Sequence, residues 1–144
     1  MSQIKLMHAK LHRVRVTEAN IEYVGSITID KYLIDKVGIM PLEEVNVQNV
    51  TNGNRLSTYV LPGKPGSGVI CANGAAARLC EEGDILIIVA YEQRDRDEVL
   101  RSGHGARVIM ADEANGVGDF IRQQLIPSGD TVQLHTLSNK VGLE

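Results

Sequence analysis

A chain of 144 residues, 43% of them hydrophobic, can bury one core and is too short for two independent ones. Lys and Arg number 15 against 18 Asp and Glu, so the formal net charge is −3, and the basic residues are dispersed; nucleic acid and an acidic membrane surface are excluded as electrostatic partners. Met1 to His8 lacks the apolar stretch of roughly 7–15 residues that a secretory signal needs, and no run approaches the roughly 20 of a membrane span, so the expectation is a soluble, cytoplasmic protein.

The first readable element is Leu11–Thr17, where polar and apolar side chains alternate with β-branched enrichment, the period of a half-buried strand. His8 and His12 sit four apart, as two ligands on a helix would, but on a strand that spacing spans about 13 Å, so no metal site is expected. Ile21–Asp30 predicts a second strand, with Ile21, Tyr23, Ile27 and Ile29 on one face and Glu22, Ser26, Thr28 and Asp30 on the other. Asp30 can cap a short helix over Lys31–Val37, ended by Gly38. Val45–Val50 and Arg55–Leu61 read as strands joined at Asn52-Gly53, the strongest short-range hairpin signal.

Pro62–Gly68 is dense in turn residues and predicts a loop, followed by a short buried strand at Val69–Ala72. Gly74–Glu82 is alanine-rich and predicts a helix closed by Gly83, and Asp84–Tyr91 reads as a buried strand. Cys71 and Cys80 are expected to be reduced and buried. The charged run Glu92–Arg96 predicts an exposed loop, Ala106–Ala111 a strand, and the residues after it an Asp-rich turn ending at Asn115-Gly116. From Val117 the pattern weakens: Thr131–Leu137 fits an added edge strand or a mobile terminus equally well, and Leu143-Glu144 fits an appended remnant. The sum is one mainly β domain over residues 1–144 with two short helices and, from about 117 to 144, a variable C-terminal tail.

Of the two Gly-Ser pairs, Gly66-Ser67 lies in a loop, whereas Gly25-Ser26 interrupts a strand, where glycine costs stability and packs nothing. Local conflicts of this kind gather at functional sites. A serine hydroxyl can attack the carbonyl before it when the peptide is held in a strained geometry, turning amide into ester, and glycine leaves that carbonyl accessible and tolerates unusual backbone angles. Elimination of the ester leaves a dehydroalanine, which loses ammonia to become a pyruvoyl group at a new N-terminus. Its ketone can form a Schiff base with an amino acid and delocalise the carbanion left by loss of carbon dioxide. Taken alone, these two residues fit better a plain strand glycine beside an exposed serine.

Five blocks change that balance: Lys10-Leu11-His12-Arg13-Val14-Arg15-Val16-Thr17, Tyr23-Val24-Gly25-Ser26, the run from Asn49 through Thr51-Asn52-Gly53-Asn54-Arg55-Leu56-Ser57-Thr58 to Tyr59, Asn73-Gly74-Ala75-Ala76-Ala77, and Gly83-Asp84. In this order and spacing, across roughly residues 4–90, they resemble the bacterial aspartate 1-decarboxylases. The resemblance thins after Tyr91 and gives little guidance from Val117 on. It implies a six-stranded double-psi β-barrel with short helices, a compact use of this length, assembled as a homotetramer with active sites between subunits. It implies a lyase that converts L-aspartate to β-alanine and carbon dioxide for pantothenate and coenzyme A synthesis. It also implies a zymogen that cleaves itself into residues 1–25 and 26–144, with a covalent pyruvoyl group from Ser26 as its cofactor and neither metal nor pyridoxal phosphate.

Carried over by the resemblance, Ser26 is the pyruvoyl precursor and Gly25 and Thr58 serve self-processing, Thr58 by hydrogen-bonding the Gly25 carbonyl. Arg55 grips a substrate carboxylate, for which its planar fork is suited, and Tyr59 protonates the carbanion after decarboxylation. Arg55, Ser57 and Tyr59 alternate onto one strand face, so arginine and tyrosine can point into one cavity, with Thr58 on the other side. Lys10 is a second cation near the substrate, supported by His12 on the same face. Tyr23 and Asn73 line the site, and the backbone of Gly74, Ala75 and Ala76 meets the ligand. Val24 stands where the better-known members often carry an acidic residue, which leaves open the rate of maturation and any need for a maturation partner. Two alternatives remain: an unprocessed, non-catalytic barrel serving as a binding module, and a pyruvoyl decarboxylase of another amino acid such as glutamate.

Overall fold

In a computed structural model describing residues 2–140, the first strand, β1, runs from Gln3 to Arg15 and lies within the sheet. Its inward set changes parity along its length: Ala9 and Leu11 face the core first, then Val14 and, just past the strand, Val16. A bulge between His12 and Val14 makes the change, with Arg13 in the left-handed region at φ 65°. One extra residue shifts the side-chain alternation by one, so apolar residues three apart both stay inside.

The chain continues through β2 (Glu18–Asn20), β3 (Ser26–Asp30), α1 (Lys31–Val37), β4 (Glu44–Asn49), β5 (Arg55–Gly63), β6 (Ile70–Asn73), a 3-10 turn (Gly74–Arg78), β7 (Ile85–Asp95), α2 (Arg96–Ser102), β8 (His104–Ala111), β9 (Val117–Ser128) and β10 (Thr131–Lys140). The strand order is β10-β9-β8-β1-β7-β4-β5-β3-β6-β2. Three neighbours are parallel, β1 with β8, β3 with β5 and β2 with β6, and the others antiparallel. Leu11, Ile27, Ile29, Leu33, Ile34, Leu86, Ile88 and Ile109 make the fully buried centre between sheet and α1. Among the described residues no helix is long and apolar enough to cross a membrane.

Helix α1 has the caps its sequence calls for. The Asp30 carboxylate accepts from the Tyr32 N–H at 2.8 Å, and Gly38, at φ 86°, donates its N–H to the Ile34 carbonyl. The same carboxylate accepts from the N–H groups of Gly66 and Gly68, both at 2.9 Å, and so pins the loop after β5 to the helix start. The β4–β5 hairpin runs from Glu44 opposite Tyr59 to Gln48 opposite Arg55, closed by the Asn49 side-chain carbonyl accepting from the N–H groups of Thr51 and Asn52. Cys71 and Cys80 are free and buried, as read from the sequence.

Several expectations are corrected. The strand read over Ile21–Asp30 is broken: the Asn20 side chain accepts from the Glu22 N–H and its backbone carbonyl from the Tyr23 N–H, a local turn that leaves Ile21 and Tyr23 exposed and starts β3 only at Ser26. The helix read over Gly74–Glu82 is one 3-10 turn, because the Leu79 carbonyl accepts from the side-chain amides of Asn49, Asn52 and Asn54 and is drawn towards the hairpin. The Glu92–Arg96 loop is strand and helix instead. The start of β1 provides ladder partners, Gln3 opposite Asp95 and Leu6 opposite Glu92, and Asp95 caps α2 by accepting from the Glu98 N–H. The Pro62–Gly68 loop is shorter at its start, since β5 reaches Gly63.

Among the described residues ten strands stand where six were expected, and their order is open. Part of the excess is the tail: β9 and β10 form a long antiparallel hairpin, Thr131 opposite Ser128, turned at Gly129 with φ 62°, and β9 pairs with β8. Thr131–Leu137 is therefore strand. Leu143-Glu144 lies outside the described residues.

Candidate active site

Ser26 opens β3 with no solvent exposure, two residues after Val24, which is 70% exposed. The chain therefore dives from surface to interior across Gly25. The Ser26 hydroxyl donates to the Val24 carbonyl at 3.3 Å and accepts from Asn73 Nδ2 at 3.0 Å. Asn73 ends β6 directly opposite Ser26 in the antiparallel ladder and is itself buried, and its Nδ2 also donates to Thr28 Oγ1 at 3.1 Å. The start of the polar face of β3 is thus tied to the side chain of the neighbouring strand β6 rather than solvated: Ser26 and Asn73 are buried and Thr28 is partly buried.

Gly74 explains how the turn is held. It sits at φ 60°, and a Cβ there would lie 2.6 Å from the Gly25 Cα and 2.9 Å from the Tyr23 carbonyl oxygen. Only glycine allows the 23–25 turn to rest on the start of the 3-10 segment. Gly25 itself is less constrained than expected: a Cβ there would meet the Ala75 nitrogen at 3.9 Å and the Asn73 carbonyl oxygen at 4.0 Å, ordinary contact distances, and its backbone is outside the left-handed region.

A cavity of about 360 Å³ opens beside this junction, lined by Gly25, Leu56, Ser57, Thr58, Tyr59, Ala75, Ala76 and Leu79. β5 reaches it because it pairs parallel with β3, Val60 opposite Ile27. Five of the residues named from the sequence thus come together here: Gly25, Thr58, Tyr59, Ala75 and Ala76. Ser26, Asn73 and Gly74 stand immediately behind Gly25. The remaining four are placed elsewhere within one chain. Arg55 is exposed in a neighbouring groove of about 390 Å³ with Lys5, Glu43, Glu44 and Tyr91, and the groove meets the cavity at Ser57, which lines both. The strand face shared by Arg55 and Tyr59 therefore serves two adjoining spaces.

Tyr23 is exposed on the turn. Lys10 lies half-buried on β1 opposite Val89 of β7 and Val108 of β8. His12 lines a third cavity of about 250 Å³ with Arg13, Arg15, Met110 and Asp112. Burial pushes the His12 pKa down, helped by the cations Lys10 and Arg13, and its buried Nδ1 has no hydrogen-bond partner. His8 faces the other way and pairs with Glu43.

Two contributors were missed by sequence reasoning. Thr28 shares the Asn73 amide with Ser26, and Cys71 touches its far end. The period-2 pattern already put Thr28 with Ser26 on one face; what one strand cannot reveal is that Cys71 and Asn73 lie opposite Thr28 and Ser26 in the next strand.

A family model described as aspartate decarboxylase matches residues 2–118. The aspartate 1-decarboxylase of Crocosphaera subtropica is 63% identical over 140 residues, which cover 96% of this chain and 93% of that protein. That of Bacillus subtilis is 53% identical over 116 residues, covering 81% of this chain and 90% of its own length. A rationally designed protein of solved structure shows 26% identity and a TM-score of 0.43 over 63% of this chain and all of its own, a likeness too slight to carry an argument.

Proposed function

The chain belongs to the aspartate decarboxylase family, and from that premise we propose that it converts L-aspartate to β-alanine and carbon dioxide, for pantothenate and coenzyme A synthesis, with a pyruvoyl group made by cutting its own backbone between Gly25 and Ser26. The observation that carries the proposal is the junction itself: a fully buried serine hydroxyl, held by Asn73, one bond from a glycine that lines a cavity shared with Thr58 and Tyr59.

Self-processing starts with attack of Ser26 Oγ on the Gly25 carbonyl carbon. The new C–O bond replaces the C–N bond, and the hydroxyl proton ends on the released amine. Loss of the Ser26 Cα proton then breaks Cβ–Oγ, so that Gly25 leaves as a carboxylate carrying that oxygen. Water adds at Cα of the resulting alkene-amine and ammonia departs, leaving the ketone. In this reading Thr58, which lines the same cavity as Gly25, donates to the Gly25 carbonyl as charge develops on its oxygen. The short side chains of Ala75 and Ala76 on the cavity wall leave room for a ligand beside the main chain that follows Gly74. The residues present thus fit the group. When formed, it supplies a carbonyl that takes up the substrate amine and accepts the electron pair freed by loss of carbon dioxide.

The chain's own residues do the rest. Arg55 holds a substrate carboxylate from the adjoining groove, and the Tyr59 hydroxyl returns a proton to the substrate carbon. Lys10, His12 and Tyr23 lie off the cavity of a single chain, which fits a site completed by a neighbouring subunit in a homotetramer. Setting the β9–β10 hairpin aside leaves eight strands, and we read six of these as the double-psi β-barrel, a reading supported by their mixture of parallel and antiparallel neighbours. The enzyme is assigned to the cytoplasm, with neither metal nor pyridoxal phosphate. The test is the denatured mass of the purified protein: one fragment of residues 1–25, and one of 26–144 lighter than its serine form by one ammonia. A chain that stays intact would leave a non-catalytic barrel.

A further inference from the structure

The buried amide of Asn73 has a third neighbour. Cys71, two residues earlier on β6, places Sγ 3.1 Å from Asn73 Oδ1, whereas the nearest other carbonyl oxygen in its reach, that of Ala72, is 4.0 Å away. On the opposite side Nδ2 donates to Ser26 Oγ and Thr28 Oγ1, and the Ser26 proton goes to the Val24 carbonyl. The four bonds have one direction, from thiol to amide oxygen, from amide nitrogen to hydroxyl, and from hydroxyl to backbone.

A primary amide has nearly the same shape when turned end for end, and hydroxyl partners tolerate either face because they both donate and accept. The thiol does not. Sulfur is a poor acceptor, so an N–H turned towards Cys71 would be left without a good partner in a buried site. Burial and the nearby Glu18 carboxylate both push the thiol pKa up, which keeps its proton in place. The orientation matters for Ser26. An N–H facing Oγ steadies negative charge as the hydroxyl proton leaves, while a carbonyl there would bind that proton and oppose the charge.

We infer that Cys71 is a positioning residue for self-cleavage, its S–H fixing the Asn73 amide so that N–H rather than C=O meets Ser26 Oγ. The inference rests on the reading that the chain cuts itself between Gly25 and Ser26. It is tested by following the denatured mass of freshly made full-length chain over time. Cys71→Val keeps the volume and loses the donor, and should slow the appearance of the 26–144 fragment roughly fivefold to tenfold. Cys71→Ser keeps a donor and should restore cleavage to within about twofold of the parent. In an Asn73→Asp background, where no N–H faces Ser26, Cys71→Val should slow cleavage no further, an effect that loss of packing alone would not produce. Thermal midpoints in a Ser26→Ala background check that each variant folds, and Cys71→Ala replaces the valine variant if it does not. A valine or alanine variant that folds and is cut as fast as the serine one overturns the inference while self-cleavage stands. If the parent chain itself is never cut, self-cleavage falls and this inference with it.

Discussion

Asn115 and Asn73 are both buried and both spend every polar side-chain atom, yet on different kinds of partner. Asn115 accepts from the Arg15 N–H at 2.7 Å and donates to the carbonyls of Arg15 at 2.9 Å and Gly68 at 2.8 Å, stitching the end of β1 to the loop after β5. Asn73 gives its side chain to no main-chain group and meets two hydroxyls and a thiol. Backbone groups are present whatever the sequence, so the first arrangement needs only one chosen residue. The second needs four, at positions 26, 28, 71 and 73, brought together by two strands. A buried asparagine that ties backbone is a rivet; one that ties chosen side chains marks where chemistry is being arranged.

The contrast breaks most sharply at Ser26. Ser26→Ala should leave the fold intact and abolish both cleavage and carbon dioxide release; an active alanine variant would remove the chemical reading of the Asn73 cluster. Next in size, Tyr59→Phe should be cut normally yet turn over aspartate about 100-fold more slowly, since it loses a proton donor and little packing. A phenylalanine variant of normal turnover would reassign that donor. Asn115→Ala should do the reverse, cutting normally when folded but losing about 2 kcal/mol in urea unfolding, because the buried Gly68 carbonyl and the part-buried N–H and carbonyl of Arg15 lose their partner. An equal loss from Asn73→Ala with undisturbed cleavage would erase the distinction. The smallest effect is expected at Gly25: the room around it should let Gly25→Ala fold within about 0.5 kcal/mol of the parent, while Gly74→Ala, whose methyl would press on Gly25, should cost more.

Much of this was legible locally. The caps of α1 and the Asn52-Gly53 hairpin are written in adjacent residues, and the polar face of β3 follows from its alternation. What escaped depends on distant partners. The charged run is strand over Glu92–Asp95, before α2 starts at Arg96, because β1, some ninety residues earlier, lies beside it. The alanine-rich helix is cut to one turn by asparagine amides reaching from another hairpin. β9 and β10 have much of their surface in contact with solvent, so no clean apolar face announces them. Within the site, the glycine that stood out in the sequence was Gly25, whereas the one the geometry demands is Gly74, whose role exists only once the turn has folded back on it.

The placement of β1 would give the proposed cut a thermodynamic consequence. Residues 1–25 carry a strand seated between β7 and β8 and a shorter one against β6. Once the bond after Gly25 is gone, that peptide is retained by packing and ladder bonds alone. Regaining the native state after denaturation then becomes a second-order association, weakened by dilution, where the uncut precursor folds in a first-order step. The mature protein would therefore be a one-way product, easy to reach from its precursor and hard to rebuild from its parts.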